Sequence, residues 1–175
     1  MLDQAAVVAS GADNISFVQH DVLEMPKLGT FDLAVVIYLI QYAKTIDELA
    51  AMYRNIAANV RSGGQFVALT VDSRFRHGEG STEKYGFSVA PVVEPRDEDR
   101  LSFTMFSDPP VTVDCTHFER STHERVAKRC GFRTLRWHEL RVDPGLEGGA
   151  DFYRDFLDNP PFVLLSAEMG ETRSF

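Results

Sequence analysis

The chain has 175 residues, 44% of them hydrophobic, and a formal charge of −8 from 18 Lys and Arg against 26 Asp and Glu. That length predicts one domain with a real core, and the acidic balance argues against nucleic-acid binding, which needs a basic footprint. Apolar runs stay far short of the ~18 residues that cross a membrane, and the start, MLDQAAVVASGADN, lacks the basic and apolar regions of a signal peptide, which predicts a cytoplasmic protein.

Leu2 to Ala9 has helical spacing, with Leu2, Ala5, Ala6 and Ala9 on one face and Gly11 as a C-cap. Ile15–Gln19 reads as a short strand, followed by an acidic turn at His20-Asp21-Val22. Pro26 stops that run. Phe31–Ile37 (FDLAVVI) is nearly all apolar, as a strand buried on both faces should be. A helix is predicted from Thr45 to Val60, with Thr45 and Glu48 as a capping box and Leu49, Met52, Tyr53, Ile56 and Val60 turned inward. Arg61-Ser62-Gly63-Gly64 is expected to turn that helix into a strand over 65–71. Strand, acidic loop, strand, helix, strand is an α/β order and implies a parallel sheet.

Beyond it, 73–100 is rich in Gly, Pro and charge, and reads as a mobile segment that folds over a site. Leu101–Phe106 and Val111–Thr116 flank Ser107-Asp108-Pro109-Pro110, an antiparallel hairpin pattern. A helix capped by Ser121 or Thr122 runs to Arg129. A strand follows over 132–142, then a short aromatic helix over 151–157 and a last strand over 162–167. Cys115 and Cys130 have neither zinc-ligand nor disulfide logic in a cytoplasmic chain, and read as small buried residues. No metal site is expected.

In parallel sheets ligands bind outside the carboxyl ends of the strands. Those ends carry Asp21, Val22, Tyr38, Leu39 and Tyr42. Asp21 also fits an Asx turn, and both tyrosines also fit a core. Candidate proton acceptors are His117, His123, Tyr42, Tyr85 and Tyr153, with His117 best suited near neutral pH. Tyr85, Phe87, Phe103, Phe106, Tyr153 and Phe156 would line a pocket for a flat substrate, or simply pack the core of a cap.

The motif order resembles a class I S-adenosylmethionine-dependent methyltransferase. It is most similar to the small-molecule branch that includes toxoflavin and ubiquinone/menaquinone biosynthesis enzymes. MLDQA, VQHDVLEMP, FDLAVVIYLIQYA, RSGGQFV and CTHFERSTHERVAKRCGFRTLRWHEL carry the resemblance, over residues 1–168. It implies a Rossmann-like methyltransferase sheet of strand order 3-2-1-4-5-7-6 with a hairpin cap over the site, and S-adenosylmethionine as cofactor. It implies that Asp21 accepts from the adenine amine and that Val22 offers its backbone N–H to the adenine ring. Tyr38 and Leu39 would flank the methionyl part, Tyr42 would stand near the transferred methyl, and Met1 would pack near adenine. The acceptor would be a small aromatic or heterocyclic molecule.

The family's glycine-rich loop and ribose-binding acid have no counterpart here. The resemblance therefore implies an N-terminally incomplete domain over 1–168 and a sheet completed by a second copy or a partner chain; the tail over 169–175 reads as disordered, as chain ends commonly are. A catalytically dead remnant serving as a binding or dimerisation partner is the alternative. A nicotinamide-dependent reductase fits the segments after Ser121 less well.

Overall fold

The computed structural model describes residues 2–9, 11–79, 82–143, 145 and 149–171. The helix α1 (Leu2–Val8) forms where its spacing predicts, and Val7 and Val8 stay exposed on it. Ile15–Gln19 is not a strand: it runs as irregular chain with Ile15, Phe17 and Val18 exposed. A strand exists only through its ladder, and no described strand lies beside this one to receive its N–H and C=O groups.

Strand β1 (Phe31–Ile37) leads through a 3-10 turn at Ile40–Tyr42 to helix α2 (Ile46–Ala57). The Thr45 hydroxyl accepts the Glu48 N–H at 3.2 Å, and the Glu48 carboxylate accepts the Lys44 N–H at 2.7 Å, so the capping box closes one residue early. Leu49, Met52, Tyr53 and Ile56 form the buried stripe. The crossover lets strand β2 (Val60–Val71) run parallel to β1, from Leu33↔Gln65 to Ile37↔Leu69.

The RSGG segment does not separate helix from strand. It lies inside β2 as a bulge, because the register jumps from Phe31↔Val60 to Leu33↔Gln65. Glycine is required there. A Cβ on Gly64 would stand 2.8 Å from Val60 Cγ1 and 2.9 Å from the Arg61 carbonyl oxygen. The bulge also reaches the chain end: Gly63 N–H donates to Met169 O, and Met169 N–H donates to Gly64 O.

The 73–100 segment supplies a 3-10 turn at Glu83–Tyr85 and strand β3 (Phe87–Val89). The expected hairpin follows as β4 (Arg100–Met105) and β5 (Val111–Thr116), and β3 extends it to a three-stranded antiparallel sheet. Helix α3 (Arg120–Arg129) is capped at Glu119, not at Ser121 or Thr122. Asp97 accepts from the Glu119 N–H at 2.7 Å and from the Thr122 hydroxyl at 2.6 Å, and the Ser73 hydroxyl accepts the Arg120 N–H at 3.3 Å. The adjacent Glu98 accepts the Ile46 N–H of α2 at 2.7 Å.

The long strand expected over 132–142 shrinks to β6 (Arg136–His138) and a single bridge, Phe132↔Met169. The aromatic helix splits into α4 (Gly149–Phe152) and α5 (Arg154–Asp158) around Tyr153. Strand β7 (Phe162–Glu168) closes the chain in antiparallel fashion against both β2 and β6. Met169 and Gly170, expected in the tail, are hydrogen-bonded to Gly64 and Gly131; Thr172–Phe175 lie outside the described residues.

The main sheet has the order β1-β2-β7-β6, which matches the 4-5-7-6 end of the expected strand order. Helices α2 and α3 cover one face, burying Val36, Phe66, Ala68 and Leu165 with Tyr53, Val126 and Phe132. On the opposite face of β1, at the edge of the sheet, Leu33, Val35 and Ile37 are about half exposed. No described helix is long and apolar enough to cross a membrane.

Candidate active site

The carboxyl ends of β1 and β2 and the amino end of antiparallel β7 fall on one edge of the sheet, since Val71 pairs with Phe162. The three-stranded cap stands beside this edge. Between them lies an apolar cavity of about 500 Å³, within the usual range for small-molecule sites. Tyr38, Gln41 and Tyr42 enter it from the β1 end, Phe87, Phe103 and Cys115 from the cap, Tyr85 from the 3-10 turn before β3, and Tyr153 and Phe156 from around α5.

Tyr38 marks the edge by its backbone. It has φ 50°, in the left-handed region that a bulky residue rarely occupies. Its N–H nevertheless keeps the ladder, donating to Leu69 O at 2.9 Å. Such strain persists where surrounding structure holds it, and it gathers at functional sites. The Tyr38 ring meets Phe162 edge-on at 5.0 Å, and burial raises its hydroxyl above the usual phenol range. Next to it Gln41 is buried, its carbonyl oxygen accepting the Thr70 hydroxyl at 3.3 Å.

The far wall is aromatic. Tyr85 and Tyr153 stack at 5.8 Å with rings 9° apart, and Phe156 meets Tyr85 edge-on at 5.4 Å. The Tyr85 hydroxyl donates to Phe152 O at 2.8 Å, which fixes the ring. Phe162 stacks on Phe103 at 5.5 Å. Cys115 is buried against this wall, and desolvation, with Asp114 adding to it, pushes its thiol up to about 12, so it is an inert apolar group.

Of the residues expected at the site, Tyr38, Tyr42, Tyr85 and Tyr153 come together around the cavity, with Phe87, Phe103 and Phe156. Phe106 is half exposed and outside that lining. His117 is also outside it: the ring is buried, with Nε2 3.3 Å from a Glu119 carboxylate oxygen. His123 is buried between α2 and α3, its Nδ1 3.0 Å from the Tyr53 hydroxyl, and desolvation lowers it to about 4.

Asp21 makes an Asx turn, one carboxylate oxygen accepting the Leu23 N–H at 2.9 Å. The Val22 side chain is buried, and its carbonyl accepts from Asn55 Nδ2 at 2.8 Å. That anchor holds the Asp21–Leu23 turn against α2. Leu39 is partly exposed beside Tyr38. Met1 lies outside the described residues. Sequence reasoning missed Gln41, Met105, Val113 and Phe162. Phe162 was within reach, because a last strand that returns antiparallel begins at the edge where β2 ends. Among the described residues no group of three or more His, Cys, Asp or Glu side chains is arranged to hold a metal ion.

No family model matches the chain, and no curated protein matches it. Solved structures do. A putative S-adenosylmethionine-dependent methyltransferase from Listeria monocytogenes is 16% identical, with a TM-score of 0.66 over 96% of this chain and 75% of that one. An S-adenosylmethionine-dependent methyltransferase from Mesorhizobium loti is 20% identical, with a TM-score of 0.63 over 94% and 74%. CalS10, a SAM-bound amino pentose methyltransferase from Micromonospora echinaspora, is 14% identical, with a TM-score of 0.53 over 97% and 71%. The likeness establishes the fold, that of the S-adenosylmethionine-dependent methyltransferases, with its mixed sheet.

Proposed function

We propose that the chain serves S-adenosylmethionine-dependent methyl transfer to a small aromatic or heterocyclic molecule. The observation that carries this is the aromatic cavity of about 500 Å³ at the carboxyl edge of a methyltransferase-type sheet.

The donor set of the described residues fits one side of the cofactor. Asp21 uses one carboxylate oxygen in its own turn and keeps the other for the adenine amine, a donor edge to which an acceptor-only group is suited. The Val22 N–H has no partner among the described residues and suits an adenine ring nitrogen. Tyr38 and Leu39 suit the methionyl side, and Tyr42 the methyl. No described glycine-rich turn stands at this edge to cradle the amino-acid end, so these residues alone favour loose binding of the cofactor.

When bound, the cofactor supplies an electrophilic methyl group on a sulfonium. The chain's own work is then positioning and exclusion of water. The Tyr85–Tyr153 stack and Phe156 hold a flat acceptor by its faces, and Phe87, Phe103 and Phe162 keep the cavity apolar. An acceptor whose proton has a high pKa also needs a base, and Tyr42, half exposed at the cavity wall, is the group for it. The bare outer edge of β1 suits a further strand from a second copy or a partner chain.

Saturation-transfer NMR with S-adenosylhomocysteine and 2-naphthol tests the reading. Transfer to the adenine protons that Asp21→Ala removes, and transfer to the naphthol rings that Tyr153→Ala removes, are the expected results. Absence of transfer to adenine in the unaltered chain would refute the cofactor assignment.

A further inference from the structure

A second cavity, of about 520 Å³, shares the residue Phe162 with the apolar one but is lined by charge. Arg120 is its fixed point. Nε and Nη2 donate to the two carboxylate oxygens of Asp72 at 3.1 and 2.6 Å, and Asp72 is only 5% exposed. The guanidinium also lies 4.7 Å over the Trp137 ring. A guanidinium has five N–H donors in a rigid plane, and Nη1 has no hydrogen bond among the described residues. The outer edge of Arg120 is therefore a preoriented, unused fork.

Arg74 lies on the same cavity. Its backbone N–H is held by Asp72 at 3.0 Å, and its exposed side chain has no ion pair among the described residues. Arg76, also on the wall, is paired with Glu79. Two carboxylates, Glu139 and Asp158, line the cavity with no partner for their oxygens among the described residues. The floor is rigid. The buried Asn159 accepts the Arg76 N–H and donates to Arg76 O and Glu79 O, each at 2.9 Å, which ties the loop after β2 to the turn before β7.

Once the Arg120–Asp72 and Arg76–Glu79 pairs are set aside, unmatched groups of both signs remain around one small cavity. A simple anion there would face Glu139 and Asp158. A simple cation would face Arg74 and the Arg120 edge. A neutral polyol would desolvate all of them without countercharge. We propose that this cavity binds a small zwitterion of the α-amino acid type. Its carboxylate lies on Arg74 and the outer edge of Arg120, a planar fork suited to carboxylate. Its ammonium lies on Glu139 and Asp158. The site needs no methyl donor and stands independently of the reading above.

Trp137 is the chain's single tryptophan and stacks on Arg120, so its emission reports on this cavity. L-alanine, L-glutamine and L-phenylalanine are titrated into the full chain without cofactor, alongside propionate and inorganic phosphate. The expected result is a saturable emission change with at least one amino acid, and binding of propionate and phosphate at least about tenfold weaker, a difference of about 1.4 kcal/mol. Arg74→Gln, at an exposed position outside any ion pair among the described residues, weakens amino-acid binding at least about tenfold with unchanged far-UV circular dichroism. The double variant Glu139→Gln, Asp158→Asn weakens amino-acid binding and leaves propionate binding as it was. No saturable change with any of the three amino acids overturns the proposal. So does phosphate or propionate binding as tightly as they do, or a double variant that binds amino acids normally.

Discussion

His123 offers a direct test of how α2 and α3 are held together. Its ring is 3% exposed, packed by Tyr53, Phe118 and Trp137 at 5.9–6.0 Å between ring centres. Nδ1 meets the Tyr53 hydroxyl at 3.0 Å. Desolvation lowers its pKa from 6.5 to about 4; nearby Asp97 pulls upward and His117 pushes further down. The folded chain therefore keeps His123 neutral while the unfolded chain protonates it near 6.5. The sign follows. The contribution of neutral His123 is fully present above pH 6.5, is lost as pH falls toward about 4, and does not change further below that. At about pH 5 the unfolded state is favoured by about 2 kcal/mol from this group alone, and by about 3 kcal/mol over the whole window. Urea unfolding at about pH 7.5 and about pH 5 of the unaltered chain and of His123→Gln measures it, because other titrating groups contribute alike to both. The unaltered chain is expected to lose about 2 kcal/mol more than the variant. Equal losses in the two proteins, or a folded-state NMR titration of His123 near 6.5, would refute the argument.

Three further outcomes are expected. Asp97→Ala removes the acceptor for the Glu119 N–H and the Thr122 hydroxyl, and should cost about 1–2 kcal/mol, read as a lowered Tm; an unchanged Tm would show that water caps α3 equally well. Phe162→Ala removes a ring and its contacts with Tyr38, Phe87 and Phe103, and should cost about 3 kcal/mol in urea unfolding. Val35→Lys on the open face of β1 should lower self-association in light scattering without lowering stability; association unchanged by it would remove β1 as the pairing edge.

What the sequence discloses divides by range. α2 is legible because its capping residues and its apolar stripe sit within one local window, and Thr45 does cap it. The hairpin is legible because Pro-Pro and two β-rich runs stand side by side. Ile15–Gln19 misleads because strand propensity is local and strand pairing is not. The glycine pair misleads for the same reason: RSGG looks like a helix stop, but its shape answers to Met169, far along the chain. Likewise α3 is capped at Glu119, whose N–H is held by the distant Asp97, where Ser121 and Thr122 are the local candidates. At the site, Tyr38, Tyr42, Tyr85 and Tyr153 are legible as aromatics at strand ends and loops. Phe162 and Gln41 are not, since one needs the antiparallel return of β7 and the other a bond to Thr70.

The paired carboxylates Asp97 and Glu98 bear on how quickly molecules enter and leave the apolar cavity. One grips α3 and its neighbour grips α2, so the cap and the helical layer form one mechanical unit. Swinging the cap aside as a lid would bare two helix ends at once, which is slow and energetically uphill. Turning the half-exposed Tyr42 ring at the cavity wall uncaps no helix and is the easier movement. Side-chain rotation is fast, on the order of nanoseconds, so the cavity should equilibrate with solution without any global opening.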